Sequence, residues 1–240
     1  MKSHIKLSST MPVKRVITCG PPERAELISK HLSSPKLLAK NREYHSYTGT
    51  FNGQDILVIS HGIGAPGAAI CFRELIDIGS QIIIRIGTAG SLQERFKIGD
   101  LVIPSEAFRR DGVTHQMVDS EVKAISDQGL TNRLKDALKS QFNLIESGPV
   151  LTCDLFYEEA LPVEWLKYHD LGALAVEMEC SPLFILGMLH KIKSSAVLGL
   201  DGSPLKWNQG DYDPQSKTLE RNIDLAIPIV LKQLAAEVLV

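Results

Sequence analysis

The sequence predicts a three-layer α/β domain built on a central mixed β-sheet. Three observations predict it. Strand-like and helix-like segments alternate along most of the chain. The run Ile82-Ile83-Ile84-Arg85-Ile86 is short, β-branched and almost continuously apolar, as befits a strand buried on both faces. Near the start, two strand-like segments flank Asn52-Gly53, a pair that favours the positive φ angles of a type I′ turn, so one antiparallel hairpin joins the sheet.

Taken in order, residues 13–18 read as the first strand. Gly20-Pro21-Pro22 ends it, and a helix with an acidic first turn follows over 23–31. Residues 46–51 and 55–60 form the hairpin. Gly62-Ile63-Gly64 then leads into a helix from about 67 to 78, stopped by Gly79. Residues 82–86 are the central strand, and 101–103 another. An amphipathic helix is expected over 130–140, a more apolar one over 177–190, a late strand over 196–200, and a closing helix over 222–240. No repeat, low-complexity tract or Ser/Gly/Pro-rich linker divides the 240 residues, so they are read as a single domain, 1–240.

Composition narrows the partners. Apolar residues make up 44% and charged residues 22%, ordinary values for a globular protein. A net charge of −2 provides no basic field to attract nucleic acid, so a small metabolite is the natural ligand. Cys19, Cys71, Cys153 and Cys180 lie in or beside apolar stretches and include no CxxC pair, which argues against a disulfide framework or a zinc site. No metal or cofactor is expected. The polar first ten residues lack the apolar core of a signal peptide, and the apolar stretch 183–189 is too short to span a bilayer. No membrane association and a cytoplasmic location are expected.

In folds of this class ligands sit beyond the carboxyl ends of strands. The corresponding segments here are 19–24, 60–66, 87–91 and 201–213, and three arginines fall at element ends: Arg24, Arg42 and Arg85. Arg85 is the most informative. A guanidinium keeps its charge, so within a buried strand it needs an anion, either a bound ligand or an acid of the core. The following Gly87-Thr88-Ala89-Gly90 offers backbone N–H groups and a hydroxyl, which favours an oxyanion such as phosphate. Gly62-Ile63-Gly64 is a tight turn that also suits the wall of a small-ligand pocket. Glu177-Met178-Glu179 reads either as acids complementing a helix dipole or as carboxylates for the adjacent hydroxyls of a sugar, with Met178 packing on the sugar face. Asp201, at the end of a strand, is a catalytic candidate or a turn starter. Phe156 and Trp207 suit stacking on a ring or packing in the core. His4 lies in a polar arm that is either solvated or reaches a neighbouring subunit.

Taken together, these segments resemble the hexameric nucleoside phosphorylase family, which contains purine nucleoside and uridine phosphorylases. The resemblance covers nearly the whole chain. Cys19-Gly20-Pro21-Pro22-Glu23-Arg24 resembles the family's phosphate loop, and Asn41-Arg42-Glu43-Tyr44 the segment that lends an arginine to a neighbouring subunit. Ser60-His61-Gly62-Ile63-Gly64 resembles its pocket turn. Arg85-Ile86-Gly87-Thr88-Ala89-Gly90 resembles its second phosphate motif, and Val176-Glu177-Met178-Glu179 its ribose segment. The run from Asp201 to Asp213 resembles the subgroup of apicomplexan purine enzymes.

The resemblance implies a nucleoside phosphorylase-like fold and phosphorolysis of a purine nucleoside by inorganic phosphate, a co-substrate. It implies that Gly20, Arg24, Arg42, Arg85 and Thr88 hold phosphate and that Met178 and Glu179 hold ribose. His4 would meet the 5′-hydroxyl across a dimer interface. Phe156, Val176 and Glu177 would line the base pocket, Pro204 and Trp207 would close the 5′ side, and Asp201 would be the general acid. It also implies a homo-oligomer, a hexamer formed as a trimer of dimers. The sequence departs from the family at Pro21, where the loop's acid is replaced, and this bears directly on phosphate use. The rival readings are a nucleosidase, which has no use for three arginines around an anion, a uridine phosphorylase, and a nucleoside-binding protein without turnover. Asp201 argues against the second, although Arg109-Arg110-Asp111-Gly112-Val113-Thr114-His115 is somewhat similar to the uridine enzymes. Among purines, 6-oxopurine nucleosides such as inosine and guanosine are preferred.

Overall fold

The computed structural model describes residues 1–8, 10 and 13–239, apart from the side chain of Asn208. In chain order the larger elements are β1 (Arg15–Cys19), α1 (Pro22–Ser29), β2 (Ser33–Asn41), β3 (Tyr44–Phe51), β4 (Gln54–Ser60), α2 (Ala65–Asp77), β5 (Ile82–Ser91) and β6 (Leu101–Arg110). There follow β7 (Ala124–Ile125), α3 (Gln128–Leu138), β8 (Ile145–Cys153), α4 (Trp165–Asp170), β9 (Ala175–Glu177), α5 (Cys180–His190), β10 (Lys193–Leu200) and α6 (Lys217–Ala236). Short 3-10 turns occupy Thr114–Gln116 and Pro204–Gln209.

The layers follow from side-chain alternation along the strands. Ile82, Ile84 and Ile86 of β5 pack with Ile17 and with residues of α1, α3 and α6, while Ile83 packs on the other face with Val16 and residues of α2 and α5. The sheet is mixed. β1 runs parallel to β4 and β5, β5 parallel to β10, and β3 antiparallel to β2 and β4. Asn52 (φ 49°) and Gly53 (φ 73°) make the hairpin turn with the expected positive angles.

One end of the sheet curls on itself. β5 pairs with β10 along Ile82–Ala89, then with β9 at Gly90 and Ser91. β10 pairs with β6, β6 with β8 and β8 with β9, so β5, β10, β6, β8 and β9 close a ring. β5 continues well beyond the expected 82–86 because its glycine-containing second half serves this ring.

The expected helix over 177–190 requires correction. Glu177 ends strand β9, Glu179 is the N-cap residue, and the helix starts at Cys180. The two acids therefore do not share a first helical turn. Pairing of β9 with β5 and β8 holds Val176 and Glu177 extended. Likewise α2 begins at Ala65, two residues before the expected start. Among the described residues no helix is long and apolar enough to cross a membrane.

Candidate active site

The carboxyl ends of β1, β5 and β10 open into a cavity of about 620 Å3. Its walls include Gly20, Arg24, Arg85, Thr88, Phe156, Val176, Glu177, Met178, Glu179, Asp201, Pro204 and Trp207. The structure thus gathers twelve of the residues singled out in the sequence around one space, of a size suited to a small metabolite.

Arg85 lies at the back. Alternation along β5 sends it to the face covered by α2 and α5, opposite Ile84 and Ile86. Its guanidinium folds over Gly87, where a Cβ would collide with Nη1, so any side chain there would displace the guanidinium. Arg85 Nη2 donates to Glu179 Oε2 and lies 3.7 Å from Glu177 Oε2. Burial alone would lower the Arg85 pKa, but the Glu179 carboxylate, followed by that of Glu177, holds it above its ordinary value. Both readings of Arg85 thus meet in one side chain. It pairs with acids of the core, and yet its buried Nε and Nη1 have no hydrogen-bond partner among the described residues.

The two carboxylates do different work. Glu179 projects to the junction of α2 and α5. Its Oε1 accepts the N–H of Gly64, the α2 N-cap residue, at 2.7 Å, while Oε2 takes Arg85. Burial opposes its charge, but Arg85 and His61 hold its pKa below the usual value. Glu177 turns inward. It accepts from the Thr152 hydroxyl at 2.5 Å and from the N–H groups of Glu179 (2.7 Å) and Cys180 (2.8 Å). Burial pushes its pKa up against the pull of Arg85. The Ser181 N–H goes to Thr152 Oγ1 at 3.0 Å, and the next residue, Pro182, has no N–H to satisfy. The amino end of α5 is therefore closed by Glu177 and Thr152. Glu177 lines the cavity, and each of its oxygens already accepts two hydrogen bonds within the chain, whereas each Glu179 oxygen accepts one and keeps room for another donor.

Asp201 follows β10, with its backbone N–H bonded to Ala89 O at 3.0 Å. Burial pushes its carboxyl up to about 6, against a hydrogen bond from Thr88 and the charge of Arg24. Arg24 comes from the first turn of α1. Burial lowers its pKa and the Arg85 charge adds to this, with Asp201 and Glu179 acting in the opposite direction.

Pro21 proves compatible with the loop. It is the N-cap residue of α1 (φ −82°, ψ 145°) and Pro22 follows as the first helical residue, where no intrahelical N–H is required. Gly20 O accepts from Gly62 N at 2.9 Å, which ties this loop to the 62–64 turn.

The outer wall is aromatic. Phe156, Tyr157, Trp207 and Tyr212 form a cluster with ring centroids 5.0–5.9 Å apart, and Tyr157 stacks on Trp207 at an interplanar angle of 3°. Gly62 and Ile63 of the tight turn line the cavity, whereas sequence reasoning missed Tyr212, which Gly202 brings in through an isolated bridge, and also missed Glu43 and Trp165 in the cavity wall. Asp211-Tyr212-Asp213 lay within the run quoted above, so an aromatic residue there was a usable signal.

His4 and Arg42 do not reach their own chain's cavity. Arg42 is exposed with φ 54°. His4 Nδ1 bonds to Glu74 at 2.8 Å, and its backbone O accepts from Asn41 Nδ2 at 2.7 Å. The two residues are thereby held on one surface patch.

Comparison with known proteins agrees with this geometry. The family model described as the phosphorylase superfamily matches residues 14–235. A purine nucleoside phosphorylase of Plasmodium vivax is 37% identical, over 89% of this chain and 88% of its own length. A uridine phosphorylase of Treponema pallidum is 34% identical, over 95% and 92%. The crystal structure of a Toxoplasma gondii purine nucleoside phosphorylase in complex with immucillin-H superposes with a TM-score of 0.93 at 32% identity, covering 98% of this chain and 95% of that one. With the matched model spanning nearly all of the sequence and the cavity at the carboxyl ends of its strands, the chain belongs to the phosphorylase superfamily.

Proposed function

We propose that this chain is a purine nucleoside phosphorylase, which converts a 6-oxopurine nucleoside and inorganic phosphate into free base and pentose 1-phosphate. One observation carries the phosphate. Arg85, buried beside Arg24 and Thr88, keeps two donor nitrogens, Nε and Nη1, that no protein group takes among the described residues. A phosphate held there by Arg24, Arg85, Thr88 and the Gly20 loop is set against C1′ of the sugar, whose hydroxyls meet Glu179 and whose face meets Met178. A phosphate oxygen forms the new bond to C1′ as the bond from C1′ to the base nitrogen breaks. The electron pair passes into the purine ring, and the Asp201 proton moves to N7. A carboxyl raised to about 6 remains partly protonated near neutrality, as such a donor requires.

Phe156, Val176, Pro204 and Trp207 form the apolar side toward the base and the 5′ end. Incubation of inosine with and without phosphate tests the reading, with phosphate-dependent hypoxanthine release the expected result. Release without phosphate would make the chain a nucleosidase, and binding without release a sensor. Uridine, assayed in parallel, turns over more slowly because it offers no N7 to Asp201. Such a reaction belongs to purine salvage, in the cytoplasm.

The proposal extends to assembly as a homo-oligomer, a hexamer formed as a trimer of dimers. Here His4 and Arg42 of one subunit complete the 5′ and phosphate ends of its neighbour's site. Their shared surface patch, outside their own cavity, supports this. An Arg42→Ala preparation mixed with an Asp201→Asn preparation under subunit exchange should recover activity in hybrid sites. No recovery would remove the assignment.

A further inference from the structure

The 109–115 segment contributes nothing to the cavity wall, yet it is densely hydrogen-bonded. Arg109 donates to the carbonyls of Asp119 (2.7 Å), Val122 (2.6 Å), Thr114 (2.6 Å) and Val118 (3.1 Å), which folds residues 110–122 around one guanidinium. Inside that fold lies Asp111, 1% exposed. Its carboxylate accepts from Thr114 N at 2.7 Å, from Thr114 Oγ1 at 2.7 Å and from the Ser181 hydroxyl. No arginine or lysine forms a salt bridge with it among the described residues. A buried carboxylate held by hydrogen bonds alone is costly to displace, so its three donors are fixed with it.

Two of its connections lead to the site by different routes. Ser181 lies in the first turn of α5, two residues after Glu179, and its N–H is bonded to Thr152, which holds Glu177. This route ends on the carboxylates that hold Arg85. The other passes through the next residue. Gly112 N donates to Asp154 Oδ2 at 2.8 Å, and Asp154 opens the segment that carries Phe156 into the cavity wall. The strand register explains the convergence, because β6, β8 and β9 place Arg109 beside Thr152 and Thr152 beside Glu177.

We infer that Asp111 and Gly112 form a positioning knot that sets the Glu179–Arg85 end of the site against the Phe156 side, with Asp111 the positioning residue. This rests on the phosphorylase reading. A loose knot displaces the sugar-binding carboxylate and the phosphate-binding arginine together, whereas loss of the Asp154 link loosens only the base side.

The test is steady-state kinetics on the whole chain with inosine and phosphate each varied. Ser181→Ala, which removes one hydroxyl, should lower kcat/KM for both substrates by about tenfold, since small misplacements of positioned groups cost that much or more. Asp154→Ala should lower it for inosine alone. Asp111→Asn, close in size, should behave as Ser181→Ala or more severely. If Asp111→Asn does not fold, Ser181→Ala decides. Values for Ser181→Ala within twofold of wild type for both substrates would overturn the proposal, as would equal losses in Ser181→Ala and Asp154→Ala. Failure of the underlying reading is separate, because it shows as phosphate-independent hypoxanthine release by the wild type.

Discussion

The two sides of the cavity are built on opposite principles. The inner side is charged, buried and tied to strands. Arg85, Glu177 and Glu179 sit on β5, β9 and the start of α5, and each carboxylate oxygen has a named partner. The outer side is apolar and carried on connections. Phe156 and Tyr157 come from the stretch between β8 and α4, and Trp207 and Tyr212 from that between β10 and α6. Charges in a dry interior must be held in place to act, because their energies change steeply with distance. Aromatic faces tolerate small displacements, so a wall of them can be carried on connections rather than on strands. Under the proposed function, the contrast places the reacting groups on the strands and the substrate-fitting groups on the loops.

Breaking the inner side should have the largest effect. Arg85→Met leaves Glu177 and Glu179 without their cation, and a loss of about 3–5 kcal/mol in unfolding free energy is expected from chemical denaturation. Retention of wild-type stability would mean that the charges are not coupled as described. Asp201→Asn keeps the shape but removes the proton, so turnover of inosine should fall by about 10²- to 10⁴-fold while inosine binding persists. Binding can be followed by intrinsic fluorescence, since the two tryptophans, Trp165 and Trp207, both line the cavity.

The same carboxyl predicts a pH signature. Its pKa is raised from 3.8 to about 6 on folding, so the folded state holds the proton more tightly than the unfolded one. The stability it contributes is full below pH 3.8 and is lost as pH rises through about 6. Asp201→Asn escapes that loss, so its Tm should gain on wild type between pH 4 and 6 and then run parallel. A constant Tm difference over this range would contradict the shift. The smallest effects belong to the outer side. Trp207→Ala should raise the KM for inosine by about tenfold with phosphate KM unchanged, and Tyr157→Leu, removing one stacked ring, by about threefold. A rise in phosphate KM in either would erase the division between the two sides.

The same division governs what the sequence disclosed. The hairpin at Asn52-Gly53, the central strand with its lone arginine and helix α3 were legible, because each is written in local pattern. β2 was not, since Ser33–Asn41 is a polar, largely exposed strand that alternates poorly. β8 was hidden by Gly148-Pro149 in its middle. At the site, Arg85 stood out as a charge inside an apolar run and Asp201 as an acid directly after one. The capping duty of Glu177 depends on Thr152, which lies beside it only through strand register, and the Asp111–Ser181 bond joins residues 70 positions apart. Neither leaves a local trace.

The closed ring of β5, β10, β6, β8 and β9 has a further consequence for the fate of the protein at high concentration. The ring pairs β5 with β10 where an open sheet would end, so β2 is the terminal strand at the other end of the strand order, paired on one side only, by β3. That edge carries Pro35, which has no N–H to offer, and the like charges of Lys36 and Lys40. This terminal strand is thus poorly suited to runaway pairing between molecules.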